Sequence, residues 1–312
     1  MERSVAMAYA VIDLGSNTIR LSILELQDQQ IKTLFQEKEV VGLAGYVQND
    51  CLDAEGIVKT CDALNRLQWL ALKFVDACDI HVFATAVFRM IANQEETLAA
   101  ILRETALRPK IITGEEEALL DFIGARRQLQ RDKGMLIDIG GASTELVYFS
   151  DGAPRRMTSL PIGCLSLHAR FVKDVCVSES EMPRIRKEIR HRFDGFPWTE
   201  LPPGQTLIGI GGTARTALKL SRAFFSNEAT ADERETDAFP AIHVSRIRRM
   251  LEKRKPGAYQ TVYKIAPERV LTIATGLLIL EEAVRRLGCR VICVSKTGVR
   301  EGYFLQYIQP IH

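Results

Sequence analysis

The chain has 312 residues, 46% of them hydrophobic and 26% charged, a globular composition of about two domains' length that excludes disorder and fibrous repeats. Its 41 basic and 39 acidic residues leave a net charge of +2, so no global field points to nucleic acid or to a membrane surface. The longest apolar runs, such as residues 275–280, fall far short of the ~18–20 residues that span a bilayer, and residues 1–10 lack the apolar stretch of a signal peptide.

In chain order, residues 8–12 predict a strand, broken by Asp13-Leu14-Gly15-Ser16-Asn17 and resumed over 19–26, which makes a hairpin with polar groups at its tip. Residues 53–75 carry apolar side chains at helical spacing (Ile57, Cys61, Leu64, Leu67, Leu70). A short strand over 81–85, a helix over 95–107, a strand over 110–113 and a helix from Glu115 follow. A second hairpin runs through 135–139, Asp138-Ile139-Gly140-Gly141-Ala142-Ser143-Thr144 and 145–149, repeating the first in pattern. A third glycine turn, Gly209-Ile210-Gly211-Gly212-Thr213, follows a strand over 206–210 and opens a helix over 214–223. The polar stretch 227–237 reads as a loop, 270–287 as a long apolar helix, 290–294 as a buried strand and 301–309 as a C-terminal helix. Strands alternating with helices define an α/β class, and the repeat puts a boundary near residue 123, giving domains 1–123 and 124–312. The seven cysteines, an odd number with no Cys-x-x-Cys pair, are expected as buried free thiols in a reducing cytoplasm.

A turn rich in Gly, Ser and Thr aims several backbone N–H groups one way and lets a phosphate approach closely. Aspartate in such a turn repels phosphate directly but holds it through a divalent cation. Asp13 and Asp138 therefore read as metal-facing carboxylates, with Ser16, Asn17, Ser143 and Thr144 as donors. Taken singly, each turn reads first as an ordinary hairpin turn; two copies at repeat spacing and a third Gly-Gly-Thr favour phosphate. In Thr113-Gly114-Glu115-Glu116-Glu117, Thr113 and Glu116 have capping-box spacing, which accounts for acidic residues without catalysis. Beside a phosphate site, a carboxylate there is also placed to activate water. Arg89 follows a strand end, and its planar fork suits either phosphate oxygens or a surface ion pair. The basic runs 184–192 and 246–255 read first as solvated helix faces and second as polyanion contacts. The five histidines show no metal or catalytic clustering, and there is no Ser-His-Asp or Cys-His pattern.

In order along the chain, Val11-Ile12-Asp13-Leu14-Gly15-Ser16-Asn17-Thr18, Ala84-Thr85-Ala86 with Arg89 and Asn93, Gly114-Glu115-Glu116-Glu117-Ala118, Ile137 to Glu145, Leu160-Pro161-Ile162-Gly163-Cys164, Gly209 to Thr213 and Gly298-Val299-Arg300-Glu301-Gly302 resemble the exopolyphosphatase/guanosine pentaphosphate phosphohydrolase (Ppx/GppA) family. The resemblance implies two ribonuclease-H-like domains of the actin/sugar-kinase/heat-shock ATPase fold with a cleft between them. It implies Mg²⁺-dependent (or Mn²⁺-dependent) hydrolysis of a terminal phosphoryl group from inorganic polyphosphate or guanosine pentaphosphate, and a homodimer. Carried over by residue, Glu117 matches the water-activating glutamate, and Asp138 and Glu145 match metal carboxylates; Asp13 keeps its reading as a metal-facing carboxylate. Gly140, Gly141, Ser143, Gly212 and Thr213 fall in phosphate-contacting loops, and Arg89 and Arg269 match arginines that approach the phosphate chain. Three departures stand out: Ala142 replaces a usual third glycine, Gly42 and Gly45 replace a basic and an acidic residue, and longer members continue with helical domains past the equivalent of His312. A kinase of the same fold and a non-catalytic alarmone sensor are the rival expectations; retention of all the catalytic carboxylates counts against the sensor.

Overall fold

In the computed structural model, which describes residues 7–126, 131–198, 201, 204–226, 237–255 and 257–310, both glycine-interrupted apolar runs close into hairpins. β1 (Ala8–Leu14) pairs antiparallel with β2 (Thr18–Gln27), bringing Asp13 opposite Arg20. The hairpin gains a third strand that sequence reading omits, β3 (Gln30–Val40), entered through Asp28 and Gln29, both at positive φ as a tight primed turn demands. Its Lys- and Glu-rich sequence hides the strand pattern because β3 is a sheet edge, where charge protects unpaired backbone groups.

After a short hairpin of β4 (Val47–Gln48) and β5 (Cys51–Leu52), α1 (Ala54–Ala71) begins at Asp53, whose carboxylate accepts the Gly56 N–H at 2.8 Å. β6 (Ile80–Ala84) then returns parallel to β1, α2 (Ala86–Met90) and α3 (Gln94–Thr105) cross over, and β7 (Lys110–Ile111) lies parallel to β6. The sheet order is β3-β2-β1-β6-β7, and α4 (Gly114–Arg126) leaves β7.

The second unit repeats this plan. β8 (Gly134–Ile139), β9 (Thr144–Ser150) and β10 (Ala153–Leu160) form the antiparallel part, followed by α5 (Cys164–Phe171) and α6 (Met182–Phe193). β11 (Leu207–Ile210) runs parallel to β8 and opens α7 (Gly211–Phe225). Next come β12 (Ala238–Pro240), α8 (Ile242–Glu252), α9 (Ala258–Ile265), α10 (Ile273–Leu287) and β13 (Val291–Val294), for an order of β10-β9-β8-β11-β13-β12. The apolar helix expected over 270–287 starts three residues late, because a 3-10 turn, Pro267–Arg269, occupies the approach. α10 is buried on most of its surface (Ile273 through Leu280, Ala283, Leu287), which is why its sequence is nearly continuous in apolar residues. The loop expected over 227–237 lies almost wholly outside the described residues.

The chain divides into residues 1–124 with 299–312, and residues 125–298. The sequence boundary at 123 is thus off by one residue, but its assignment of the chain end to the second domain differs from the structure. α11 (Val299–Tyr303) and the π turn Phe304–Ile308 place Tyr303, Phe304 and Leu305 in one apolar cluster with Val11, Leu24, Phe83, Ile112 and Leu120 of the first unit. Burying side chains of that size is worth about 1.5–3 kcal/mol each, ample to draw a chain end back across the sequence. Among the described residues no helix is long and apolar enough to cross a membrane.

Candidate active site

In an open α/β sheet, ligands bind beyond the carboxyl ends of the parallel strands. In the first unit those are the ends of β1, β6 and β7. Asp13 is the penultimate residue of β1, and the turn after the strand is closed by the Gly15 N–H donating to Thr18 O at 3.2 Å. Ser16 is buried, and its carbonyl accepts the Ala44 N–H, while the Asn17 carbonyl accepts the N–H groups of Val41 and Gly42. The segment holding Gly42 and Gly45 therefore clasps the turn, and Gly42 sits at φ +66°, where a side chain is strained.

Beyond β6, Thr85 donates its N–H to Leu14 O, and Arg89 one turn later reaches Ile112 O at 3.1 Å and Glu117 Oε2 at 2.6 Å. Sequence reading gives Arg89 and Glu117 separate tasks; the structure makes them a pair, with side chains only 18% and 12% exposed. The capping box is present as spaced: the Glu116 N–H donates to Thr113 Oγ1 at 3.1 Å, and the Thr113 N–H to Glu116 Oε2 at 3.2 Å. Glu116 is thus a cap, and Glu117, whose N–H donates to Thr113 O at 2.9 Å, is the carboxylate left facing Arg89.

In the second unit the carboxyl ends of β8 and β11 converge. Asp138 and Glu145 are directly opposed across β8 and β9, so both side chains lie on one face. Glu145 is 1% exposed and accepts the Ser159 hydroxyl at 2.7 Å. The loop between them folds on itself through Gly140 N–H to Ser143 O. Its Gly140 and Gly141 carbonyls take the N–H groups of Cys164, Leu165 and Ser166 at the start of α5. A β-carbon on Gly163 would meet Ala142 N at 2.5 Å, which explains the glycine in the 160–164 motif that sequence reading matched without a reason. Ala142 is buried in this loop at 3% exposure, so its methyl is accommodated.

The two turn glycines of α7 serve different neighbours. A β-carbon on Gly211, itself at φ +74°, would lie 3.0 Å from Asp138 Cγ and closer to Oδ1. On Gly212 it would lie 2.6 Å from Arg269 Nε and closer still to Nη2. Glycine at both positions lets a carboxylate and a buried guanidinium reach the start of α7, where backbone N–H groups favour anions. The hydroxyls of Thr144, expected as a donor, and of Thr213, expected in a phosphate-contacting loop, donate to Ile162 O (2.6 Å) and Ile139 O (3.3 Å).

Several arginines of the basic runs are paired inside the second unit. Arg186 pairs with Glu281 at 2.7 Å, Arg190 lies 4.0 Å from Glu282, and Arg192 pairs with Glu188 at 3.0 Å. Arg248 bridges Glu252 and Glu281. Glu282, 5% exposed, also takes Arg285 and Arg286. Its burial alone would raise the carboxyl's pKa, but the hydrogen bonds from the two arginines hold it below the usual range. Arg186 thus has an internal acidic partner, while Arg190 is more than half exposed at the edge of the Glu282 cluster.

Among the described residues no three His, Cys, Asp or Glu side chains are grouped to hold a metal, so an all-protein cage is absent. Two facing carboxylates do fit Mg²⁺, which binds through one or two carboxylates and keeps water and substrate phosphate for the rest. Like charges directly opposed on a sheet face destabilise it by ~0.2–1 kcal/mol, a cost that a cation removes.

Two sheets of one plan, each ending in a glycine turn that carries an aspartate at the carboxyl edge, define a phosphate-handling enzyme of the actin-like ATPase fold. A model of the Ppx/GppA phosphatase family matches residues 22–309, and the chain belongs to that family. Among solved structures it is similar to the Aquifex aeolicus member of the Ppx/GppA family (23% identity over 97% of each chain, TM-score 0.76). It is also similar to an exopolyphosphatase from Cytophaga hutchinsonii (20% identity, 98% of this chain and 99% of that one, TM-score 0.84).

Proposed function

We propose that this phosphatase is an exopolyphosphatase, hydrolysing the terminal phosphoanhydride of inorganic polyphosphate to release orthophosphate with Mg²⁺ as cofactor. The observation that supports it most is the pair of close approaches at Gly211 and Gly212, which bring Asp138 and Arg269 to one helix start. A carboxylate for a cation and a guanidinium for phosphate oxygens, beside helix N–H groups, are what a terminal phosphoryl group with its charge requires. The Cytophaga hutchinsonii protein of the same fold carries the exopolyphosphatase name.

In this reading Glu117 orients the attacking water, and Arg89 holds that carboxylate through its 2.6 Å ion pair. Phosphoryl transfer passes through a loose transition state, so positioning water and offsetting oxygen charge account for most of the acceleration. Asp138 and Glu145 would hold the cation, with Asp13 the matching carboxylate of the first unit; when bound, the metal supplies charge neutralisation on the non-bridging oxygens. Arg269 and the backbone of the 140–143 and 211–213 loops bind the phosphoryl oxygens. Initial rates of phosphate release from short polyphosphate, long polyphosphate, guanosine pentaphosphate and ATP test this together. Polyphosphate giving the highest kcat/KM supports the proposal; guanosine pentaphosphate exceeding it makes the protein a nucleotide phosphohydrolase, and ATP exceeding both refutes the hydrolase assignment.

A further inference from the structure

Tyr303, Phe304 and Leu305 are buried, and the segment that carries them touches α4 at two points on one face. At the first, Gly302 meets α4 backbone to backbone: a β-carbon there would fall 2.6 Å from Leu120 C and closer to its oxygen. At the second, one helical turn earlier along α4, the Tyr307 hydroxyl donates to Glu116 Oε1. Lys110, on β7, donates to the same oxygen at 2.7 Å, and its ammonium lies 3.7 Å from the centre of the Tyr307 ring. The other Glu116 oxygen takes the Thr113 N–H, so one carboxylate ties strand β7, the helix cap and the chain end together.

Glu117 is the next residue, and its backbone is fixed by this first turn. We infer that Tyr307 is a positioning residue for Glu117: the C-terminal segment acts as a splint that holds the first turn of α4 in place through Gly302 and the Tyr307–Glu116–Lys110 cluster. This rests on the reading of Glu117 as the water-orienting group. Partial burial in the cluster would raise the Glu116 carboxyl, but the hydrogen bonds from Lys110, Tyr307 and Thr113 hold it below the usual range, so it stays charged at neutral pH. Shifts of an ångström in a water-orienting carboxylate are costly in rate and leave substrate binding elsewhere untouched.

The test is Tyr307→Phe, which keeps the ring under Lys110 and removes only the hydroxyl. With short polyphosphate and Mg²⁺, kcat is expected to fall about 3- to 10-fold at unchanged KM, with thermal stability nearly that of the parent. In a Glu116→Ala background, the same substitution is expected to change kcat no further. An unchanged kcat, a loss of stability without loss of kcat, or an equal loss in both backgrounds would overturn the inference. Glu117→Gln run in parallel separates the two claims. Full activity there removes the group to be positioned and overturns both, whereas an inactive Glu117→Gln beside a fully active Tyr307→Phe overturns the splint alone.

Discussion

Replacing Gly212 by alanine isolates the close approach on which the phosphate reading leans. In an ordinary helix the change would stabilise by about 0.5–1 kcal/mol, since alanine loses less backbone entropy. Here the new methyl would stand 2.6 Å from Arg269 Nε and nearer to Nη2, whereas ordinary contact needs about 3.4 Å or more. The guanidinium of Arg269, a residue only 9% exposed, must retreat by about an ångström or more. Overpacking of that kind costs about 1–3 kcal/mol, so the net effect is destabilisation, near 2–4 °C of melting temperature per kcal/mol for a unit of this size. A phosphate-binding arginine displaced that far should also lower kcat/KM about 10- to 100-fold. The decisive assay is the double-mutant cycle with Arg269→Ala. Once the guanidinium is gone, Gly212→Ala should be neutral or stabilising and should cost no further activity. If Gly212→Ala is harmless in the parent protein, or equally harmful without Arg269, the arginine does not occupy that space.

Three further outcomes are expected. Glu117→Gln should lower kcat by about 10²–10⁴-fold with substrate affinity largely kept, and Glu116→Gln should cost much less; steady-state kinetics showing equal losses would reject the division between base and cap. Mg²⁺ should raise the melting temperature of the parent protein but not of Asp138→Asn, because it relieves the opposed Asp138 and Glu145 charges; an equal rise in both would put the cation elsewhere. Glu282 titrates below its unfolded value, so its stabilisation is complete above the ordinary 4.5 and is lost as pH falls through the lower folded value. Glu282→Gln should therefore cost about 1–3 kcal/mol at pH 7, less than a fully buried pair because Arg190 and Arg285 are more than half exposed, and in acid denaturation the penalty should vanish as pH falls through that lower folded value.

What the sequence by itself determined is local. Two apolar runs joined by an Asp-bearing glycine turn pair as hairpins wherever they occur, so both copies of the repeat, and with them the positions of Asp13 and Asp138, were legible. The Thr113–Glu116 box was legible for the same reason: its partners are three residues apart, and helix geometry alone joins them. Only the tertiary structure decided which side chains meet from far apart. Arg89 finds Glu117 across 28 positions, Arg186 finds Glu281 across 95, and Tyr307 finds Glu116 across 191. Charge and spacing left each of these arginines open to phosphate or to an acid, because in sequence an arginine carries no record of which carboxylate the topology will bring beside it. The same holds for the chain end. Its apolar residues announce burial, but the core that accepts them is chosen by the path of the chain, and loop closure over such lengths adds little further cost with distance. The glycines fall between the two cases. Their presence at 211, 212 and 302 is visible in sequence, while the carboxylate, guanidinium and carbonyl that require them appear only once the chain is folded.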